Sequence, residues 1–299
     1  MKNVRALRVN PGTPSGLLLA TDSMSPEAIT ADALRLESLG YDSLWLPDLF
    51  GRDVFILAGF ILARTTRLRV ATGIAHVYAR DAVAAAQGAR TLAELHGGRF
   101  VLGLGVSHPQ AAERRGHEWI PPVRKMRAYL EGIAAAPVRS PEPSRAAPVY
   151  IAAHGPKLLA LAAELADGAN TYLMPVEHTR QAREILGPDK DLNVVLPCCL
   201  CADPDRARAV GRKALAVYLG LPAYRRQWTR FGFVEDDFEA ASDRLVDSLV
   251  AWGDEAAIRE RIAAQRDAGA SHVQILPYNA EPKGALPWKM IEALGPGSD

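Results

Sequence analysis

Along this chain two hydrophobic patterns alternate. Short runs of β-branched, aromatic and leucine residues are separated by helix-length segments whose apolar positions recur every three to four residues. The first unit sets the pattern. Gly16 to Ala20 is a short apolar run suited to a strand. Ser25-Pro26-Glu27 then opens a helix, with Ser as N-cap, Pro at the first helical position and an acid in the first turn. Ile29, Ala33, Leu36 and Leu39 lie on one face of that helix, and Gly40 ends it. Tyr41 to Leu46 is the second strand, stopped by Pro47-Asp48. The unit repeats as a helix over Asp53 to Arg64, a strand over Leu68 to Ile74, a helix over Ala82 to Leu95 and a strand over Phe100 to Val106. A polar loop from Ser107 to Pro122 leads into a helix over Val123 to Ala135, and the Pro- and Ser-interleaved segment Arg139 to Ala147 reads as a surface linker. Strands over Val149 to Ala153, Ala169 to Leu173 and Leu192 to Ala202 follow, separated by helices over Pro156 to Leu165 and Glu177 to Leu186. A helix from Asp205 to about Leu219 comes next, and residues 222–253 predict further helix with a break near Gly232. Glu255 to Ala268 is the last strong helix and His272 to Leu276 the last strand, while residues 1–15 lack a period and read as an irregular arm.

Eight β-α steps over nearly the whole chain predict an α/β fold, a (β/α)8 TIM barrel with a helical insertion before the last strand. The expected domain is a single one, 1–299. A doubly wound sheet is the alternative, weakened because no GxGxxG turn follows the first strand. Gly103-Leu104-Gly105 has only two of the glycines and comes fourth in strand order. At 48% hydrophobic and 23% charged residues, the 299-residue chain has material for a large core. A net charge of +1 gives no electrostatic reason to expect nucleic acid or an anionic membrane as partner. Met1 to Pro14 lacks an apolar signal region, and no stretch approaches the roughly 20 apolar residues of a membrane span, so the expected location is cytoplasmic. Cys198, Cys199 and Cys201 have no His or fourth Cys at ligand spacing, which predicts buried free thiols and no metal site.

Ligands in α/β sheets sit at the carboxyl ends of strands. Here the third and fourth strands end in small or polar residues, Thr72-Gly73-Ile74-Ala75-His76 and Gly103 to His108. Strand parity puts Val101, Gly103, Gly105 and Ser107 on one face. That face is either a side-chain-free bed for a flat ring or a device that adjusts barrel packing. At the fifth junction, Ala153-His154-Gly155-Pro156 runs straight into a helix with Lys157 in its first turn. Such a start suits a phosphate-bearing ligand, or is an ordinary tight turn with Pro at its first helical position. Asp48, His76, His108 and His117 are candidate proton carriers or plain loop hydrogen-bonders. Arg80 pairs either with a cofactor's anionic group or with Asp81 or another carboxylate. Arg114-Arg115 and the run from Tyr224 to Trp228 either line the rim or face solvent.

The runs LESLGYDSLWLPD, VATGIAHVYARD, GGRFVLGLGVSH, RRGHEW, AAHGPKLLALAAELADGA and LVDSLVAWGDEAAIRERI resemble the luciferase-like monooxygenase superfamily, and in particular its coenzyme F420-dependent oxidoreductases. The similarity spans about Glu27 to Leu276. It implies a barrel that holds a flavin or deazaflavin non-covalently at the strands' carboxyl ends. It also implies a bulge with a non-prolyl cis peptide at Gly73-Ile74, flanked by Thr72 and Ala75, under the ring. By the same resemblance Val106-Ser107-His108 meet the ring edge and ribityl chain, His154-Gly155-Pro156-Lys157 hold the cofactor phosphate, and Tyr172 faces the ring. Many relatives carry Asp-His after the second strand, whereas this chain has Asp48-Leu49. The implied activity is hydride transfer between coenzyme F420 and a small organic substrate, with Asp48, His76 and His108 as catalytic candidates. Alternatives are an FMN-dependent monooxygenase with a separate cofactor reductase, a flavin-binding barrel without turnover, and a sugar-phosphate barrel enzyme. Relatives are commonly dimers, so a homodimer is expected.

Overall fold

The computed structural model describes residues 14–281 and 286–297; nearly all of the expected N-terminal arm lies outside them. From the first strand the chain runs β1 (Gly16–Leu18), α1 (Pro26–Ser38), β2 (Ser43–Leu46), α2 (Val54–Leu62), β3 (Arg69–Thr72), β4 (Ala75–His76), α3 (Ala82–Leu95) and β5 (Phe100–Gly105). It continues through α4 (Pro109–Glu113), α5 (Pro122–Ala134), β6 (Val149–Ala152), α6 (Pro156–Leu165), β7 (Gly168–Tyr172), α7 (Val176–Leu186) and β8 (Asp191–Leu200). The remainder is α8 (Pro204–Leu219), α9 (Pro222–Arg230), α10 (Glu235–Glu239), α11 (Asp243–Leu249), β9 (Ala251–Gly253), α12 (Glu255–Asp267), β10 (His272–Pro277) and α13 (Trp288–Leu294). All strand pairs are parallel, and β10 pairs with both β1 and β8, which closes β1, β2, β3, β5, β6, β7, β8 and β10 into an eight-stranded barrel. The helix starts follow the sequence signals: Ser25 accepts the Ala28 N–H, and Asp81 accepts that of Ala84.

Three elements differ from expectation. The third strand, one run by periodicity, is two strands, β3 and β4, separated by the bulge that the resemblance implies at Gly73-Ile74. Residues 222–253 are not helix throughout, because Ala251–Gly253 forms β9 against Cys198, Cys199 and Leu200. The cause is the length of β8, whose last residues project past its barrel pairing and offer an open edge that outcompetes helix propensity. The polar loop also holds the short helix α4, which begins at the Pro after His108.

Three apolar clusters result. The largest lies between strands and helices; a second, around Trp228, Phe233, Phe238 and Leu245, lies under the insertion helices; the smallest, Trp45, Ala71, Val101 and Tyr150 with Leu18, fills the barrel interior. Below the mouth the interior is polar in part: Asn193 donates to Asn170 at 3.0 Å, and Gln274 donates to Asn193 at 3.0 Å. Trp45 and Tyr150 stack with ring centroids 6.0 Å apart. The barrel is therefore plugged at its centre, and within the barrel a ligand can enter only above that plug.

Candidate active site

The bulge follows from register. Ala71 faces Val101 and Ala75 faces Leu104, so three residues, Thr72 to Ile74, oppose two, Leu102 and Gly103. The interrupted ladder is repaired by one side chain. Thr72 Oγ1 accepts the Gly103 N–H at 2.9 Å and donates to the Gly103 carbonyl at 2.6 Å, fully buried. Within the bulge Gly73-Ile74 is a cis non-prolyl peptide. Gly103 and Gly105 do face inward, but they do not leave a bare bed. A Cβ on Gly103 would lie 2.0 Å from the Thr72 carbonyl oxygen, and one on Gly105 would lie 2.5 Å from Ile74 Cδ1. They are the clearance that lets the bulged chain cross β5, so the packing reading holds and Ile74 supplies the surface. Thr72→Val, which keeps the volume but strands the Gly103 N–H and carbonyl, is expected to lower stability by about 2 kcal/mol while Thr72→Ser stays near wild type; equilibrium denaturation of both variants checks this.

Above the plug, inward positions change from buried to accessible. Ser43, Trp45, Ala71, Val101, Tyr150 and Asn170 are buried, whereas Leu18, Gly73, Ile74, Ala152, Tyr172 and Leu276 are partly accessible. This is the floor of a mouth at the carboxyl ends. Asp48 stands at its edge with its carboxylate engaged twice: it accepts the His76 backbone N–H at 2.9 Å and pairs with Arg115 at 3.5 Å. It thereby ties the end of β2 to the start of β4. Burial pushes His76 down to about 4, with the charges of Arg115 and His108 adding to the effect. The Nδ1 atoms of His76 and His108 are buried and have no hydrogen-bond partner among the described residues. Between Val106 and His108, Ser107 is exposed with φ 59°, so its backbone turns the chain away from the barrel axis.

Across the mouth, His154 and Gly155 lead into α6, which no side chain caps. Lys157 is exposed in the first turn, and Gln227 of α9 approaches Gly155. Burial pushes His154 down to about 3, with His178 adding to it, so His154 is neutral at pH 7. His178 Nε2 is 2.7 Å from the His154 carbonyl. The insertion helices cover this side with aromatic rings. Tyr224 meets His154 at 5.0 Å and Tyr218 at 5.0 Å, and Tyr218 meets Tyr172 at 5.2 Å. Trp228 donates to the carbonyl of Leu173, a second left-handed residue (φ 54°) just past a strand end.

Thr72 to His76, Val106 to His108, His154 to Lys157 and Tyr172 all come to the carboxyl-end rim, and Asp48 joins them. His117 does not reach the floor; it packs on Tyr78 at 5.6 Å and lines a cavity of about 600 Å³ beside the barrel with Arg124, Lys125 and Tyr129. Arg80 pairs with Asp53 at 2.6 Å, not with Asp81. Arg115 is legible in the sequence only as half of a basic pair, and its role on Asp48 is tertiary. Tyr218 and Tyr278 are rim residues that sequence reasoning misses. Tyr278 shares the inward parity of Gln274 and Leu276, a signal that could have found it; Tyr218 carries none, since its helix docks from the insertion. Cys198 and Cys199 are buried and Cys201 is partly so, all free thiols. Among the described residues no cluster suits a metal, and no helix is long and apolar enough to cross a membrane.

An eight-stranded parallel barrel with a bulged third strand and an accessible carboxyl-end floor is a (β/α)8 barrel whose ligand position is at the strand ends. The profile of the luciferase-like monooxygenase family matches residues 8–272, and the chain belongs to that family. A protein of Mycobacterium tuberculosis provisionally named a coenzyme F420-dependent oxidoreductase is 27% identical over 287 aligned positions, covering 73% of this chain and 81% of that protein. Among solved structures, the coenzyme F420-dependent tetrahydromethanopterin reductase of Methanopyrus kandleri superposes with a TM-score of 0.72 at 18% identity, over 95% of this chain and 97% of that one. The oxygenating constituent of 3,6-diketocamphane monooxygenase of Pseudomonas putida, in complex with FMN, gives 0.72 at 16% identity, over 95% and 96%. These two likenesses establish the fold.

Proposed function

We propose that this protein is an oxidoreductase that moves a hydride between coenzyme F420 and a small organic substrate. The observation that carries the reading is the accessible floor beside two buried imidazole nitrogens, His76 Nδ1 and His108 Nδ1, that have no partner among the described residues. A planar heterocycle edged with donors and acceptors answers both features. When bound, the deazaflavin supplies hydride exchange at a ring carbon, and the protein supplies orientation, water exclusion and protons. Gly73 and Ile74 back one ring face, and the buried Thr72 and Ala75 hold them in place from behind. Val106, Ser107 and His108 run along the edge and ribityl chain, and Tyr172 looks at the ring. The uncapped start of α6, with His154, Gly155, Pro156 and Lys157, takes the phosphate through backbone N–H groups and the Lys157 charge. Of the three proton-carrier candidates, His108 keeps a group free for the ring edge. Asp48 is committed to Arg115 and the His76 N–H, and His76 is held neutral by burial.

Titration of the protein with coenzyme F420 and with FMN, followed by fluorescence, tests the reading. Saturable binding of F420 is expected; tight binding of FMN alone overturns it in favour of the flavin monooxygenase alternative. Lys157→Glu, at an exposed position, is expected to weaken F420 binding by about tenfold, or ~1.4 kcal/mol, and to leave thermal stability unchanged. An unaltered affinity removes the phosphate assignment to α6.

A further inference from the structure

The substrate-side proton has no obvious carrier, because Leu49 stands where relatives have a histidine after Asp48. A group of phenols occupies the opposite wall. Around the closed barrel, β8 is four strands from β3 in either direction, and β7 and β10 flank it. Tyr172 ends β7 on the inward parity of Asn170, whose amide nitrogen lies 3.0 Å from where a Gly103 Cβ would be. Tyr278 follows β10 on the inward parity of Gln274, its N–H donating to the Cys198 carbonyl at 2.8 Å. Tyr218, near the end of α8, reaches over from the insertion. The Tyr172 and Tyr218 rings meet edge to face at 5.2 Å and Tyr278 interacts electrostatically with both, so three chain segments bring three phenols together at the mouth.

We propose that Tyr278 is a catalytic residue that donates the proton to the oxygen of a neutral carbonyl substrate, with Tyr172 and Tyr218 as the hydrogen-bond chain behind it. This rests on the deazaflavin reading above. Two features select Tyr278 and this substrate class. Its side chain is the least enclosed of the three. Among the described residues the inward positions around it, Val195, Pro197, Cys199, Leu276 and Tyr172, carry no charge, which favours a neutral substrate on this wall. Burial raises all three hydroxyls above the ordinary phenol range, which keeps them protonated donors at pH 7. In the step itself, hydride adds to the carbonyl carbon and the π electron pair moves to oxygen. The Tyr278 O–H bond breaks and its proton goes to that oxygen, giving the alcohol. The phenolate left behind takes a proton from Tyr172, which takes one from Tyr218 and so from solvent. The reductant is the reduced deazaflavin of the proposed activity, and the reverse direction oxidises an alcohol.

The probe is cyclohexanone, 13C-labelled at the carbonyl, with the full-length protein and coenzyme F420. With oxidised F420 bound, the carbonyl resonance of the ketone is expected to shift downfield, and Tyr278→Phe is expected to abolish that shift. With reduced F420, Tyr278→Phe is expected to lower kcat about 100-fold or more with KM changed less than threefold, and Tyr218→Phe to lower it by less than tenfold. F420 affinity measured by fluorescence is expected to stay within twofold in both variants, which shows that they fold and isolates the proton step. If the wild type binds F420 but neither shifts nor reduces the ketone, or if Tyr278→Phe retains both, the tyrosine assignment is overturned. If the wild type fails to bind F420, the cofactor reading itself is what has failed.

Discussion

Gly103→Ala is expected to be the most damaging single-methyl change in the barrel, lowering stability by at least about 3 kcal/mol or preventing soluble expression. The added Cβ would sit 2.0 Å from the Thr72 carbonyl oxygen, 3.0 Å from the Asn170 amide nitrogen and 3.2 Å from the Thr72 carbonyl carbon. Two of these are backbone atoms of a bulge already fixed from four directions. Thr72 Oγ1 holds it to β5, the Gly73 N–H donates to the Leu46 carbonyl at 2.7 Å, the Asp48 N–H reaches the Ile74 carbonyl at 3.3 Å, and the Asp48 carboxylate accepts the His76 N–H. No flexible side chain can yield, so β3 or β5 would have to move. Gly105→Ala makes a useful contrast, because its clash is with the end of the Ile74 side chain, which can change rotamer. It is expected to fold with a loss of about 1–2 kcal/mol and, by displacing Ile74, to weaken F420 binding. Urea unfolding of the two variants separates them; equal losses would show that β5 does not depend on the close approach.

That contrast also shows which features the sequence could carry. Strand and helix alternation is readable because each strand buries a short apolar run while each helix presents one apolar stripe, as at Ile29, Ala33 and Leu36. Strand parity correctly turns Gly103 inward, but the choice between ligand bed and packing device depends on what crosses the glycine, here a backbone segment of another strand. The same limit applies to β9: the Leu245–Leu249–Trp252 spacing continues the helical period of α11, and Trp252 is in a strand only because β8 overshoots its barrel pairing. Tyr218 is the plainest case. Nothing in the run PDRARAVGRKALAVYL says that its tyrosine reaches a barrel mouth, because that depends on how α8 and α9 dock through Trp228 and Leu173. Local periodicity specifies elements and their inward faces, whereas a site assembled from several strand ends and an insertion is a tertiary property.

Acid is expected to destabilise the protein well before its carboxylates titrate, because histidines are held neutral inside it. His76 is pushed down to about 4 and His154 to about 3, mainly by burial, against an ordinary value of 6.5 in the unfolded chain. Between pH 6.5 and 4 the unfolded chain therefore binds a proton at each of these positions that the folded chain does not. Stability rises with pH wherever the unfolded state binds more protons, so the contribution is complete above pH 6.5 and is lost as pH falls towards 4 and 3. At pH 5 each histidine lowers stability by about 2 kcal/mol relative to pH 7.5, or roughly 4 kcal/mol for the pair. His178 and His272 are lowered by burial as well and act in the same direction. Equilibrium unfolding in urea at pH 7.5, 6.5, 5.5 and 5.0 should show this fall, with no fewer than about two protons taken up on unfolding near pH 5. His154→Gln should reduce that uptake by about one proton. A flat profile between pH 7.5 and 5.0 would mean that these imidazoles are already charged in the folded state, and His154 would then meet a phosphate as a cation, not as a neutral N–H donor.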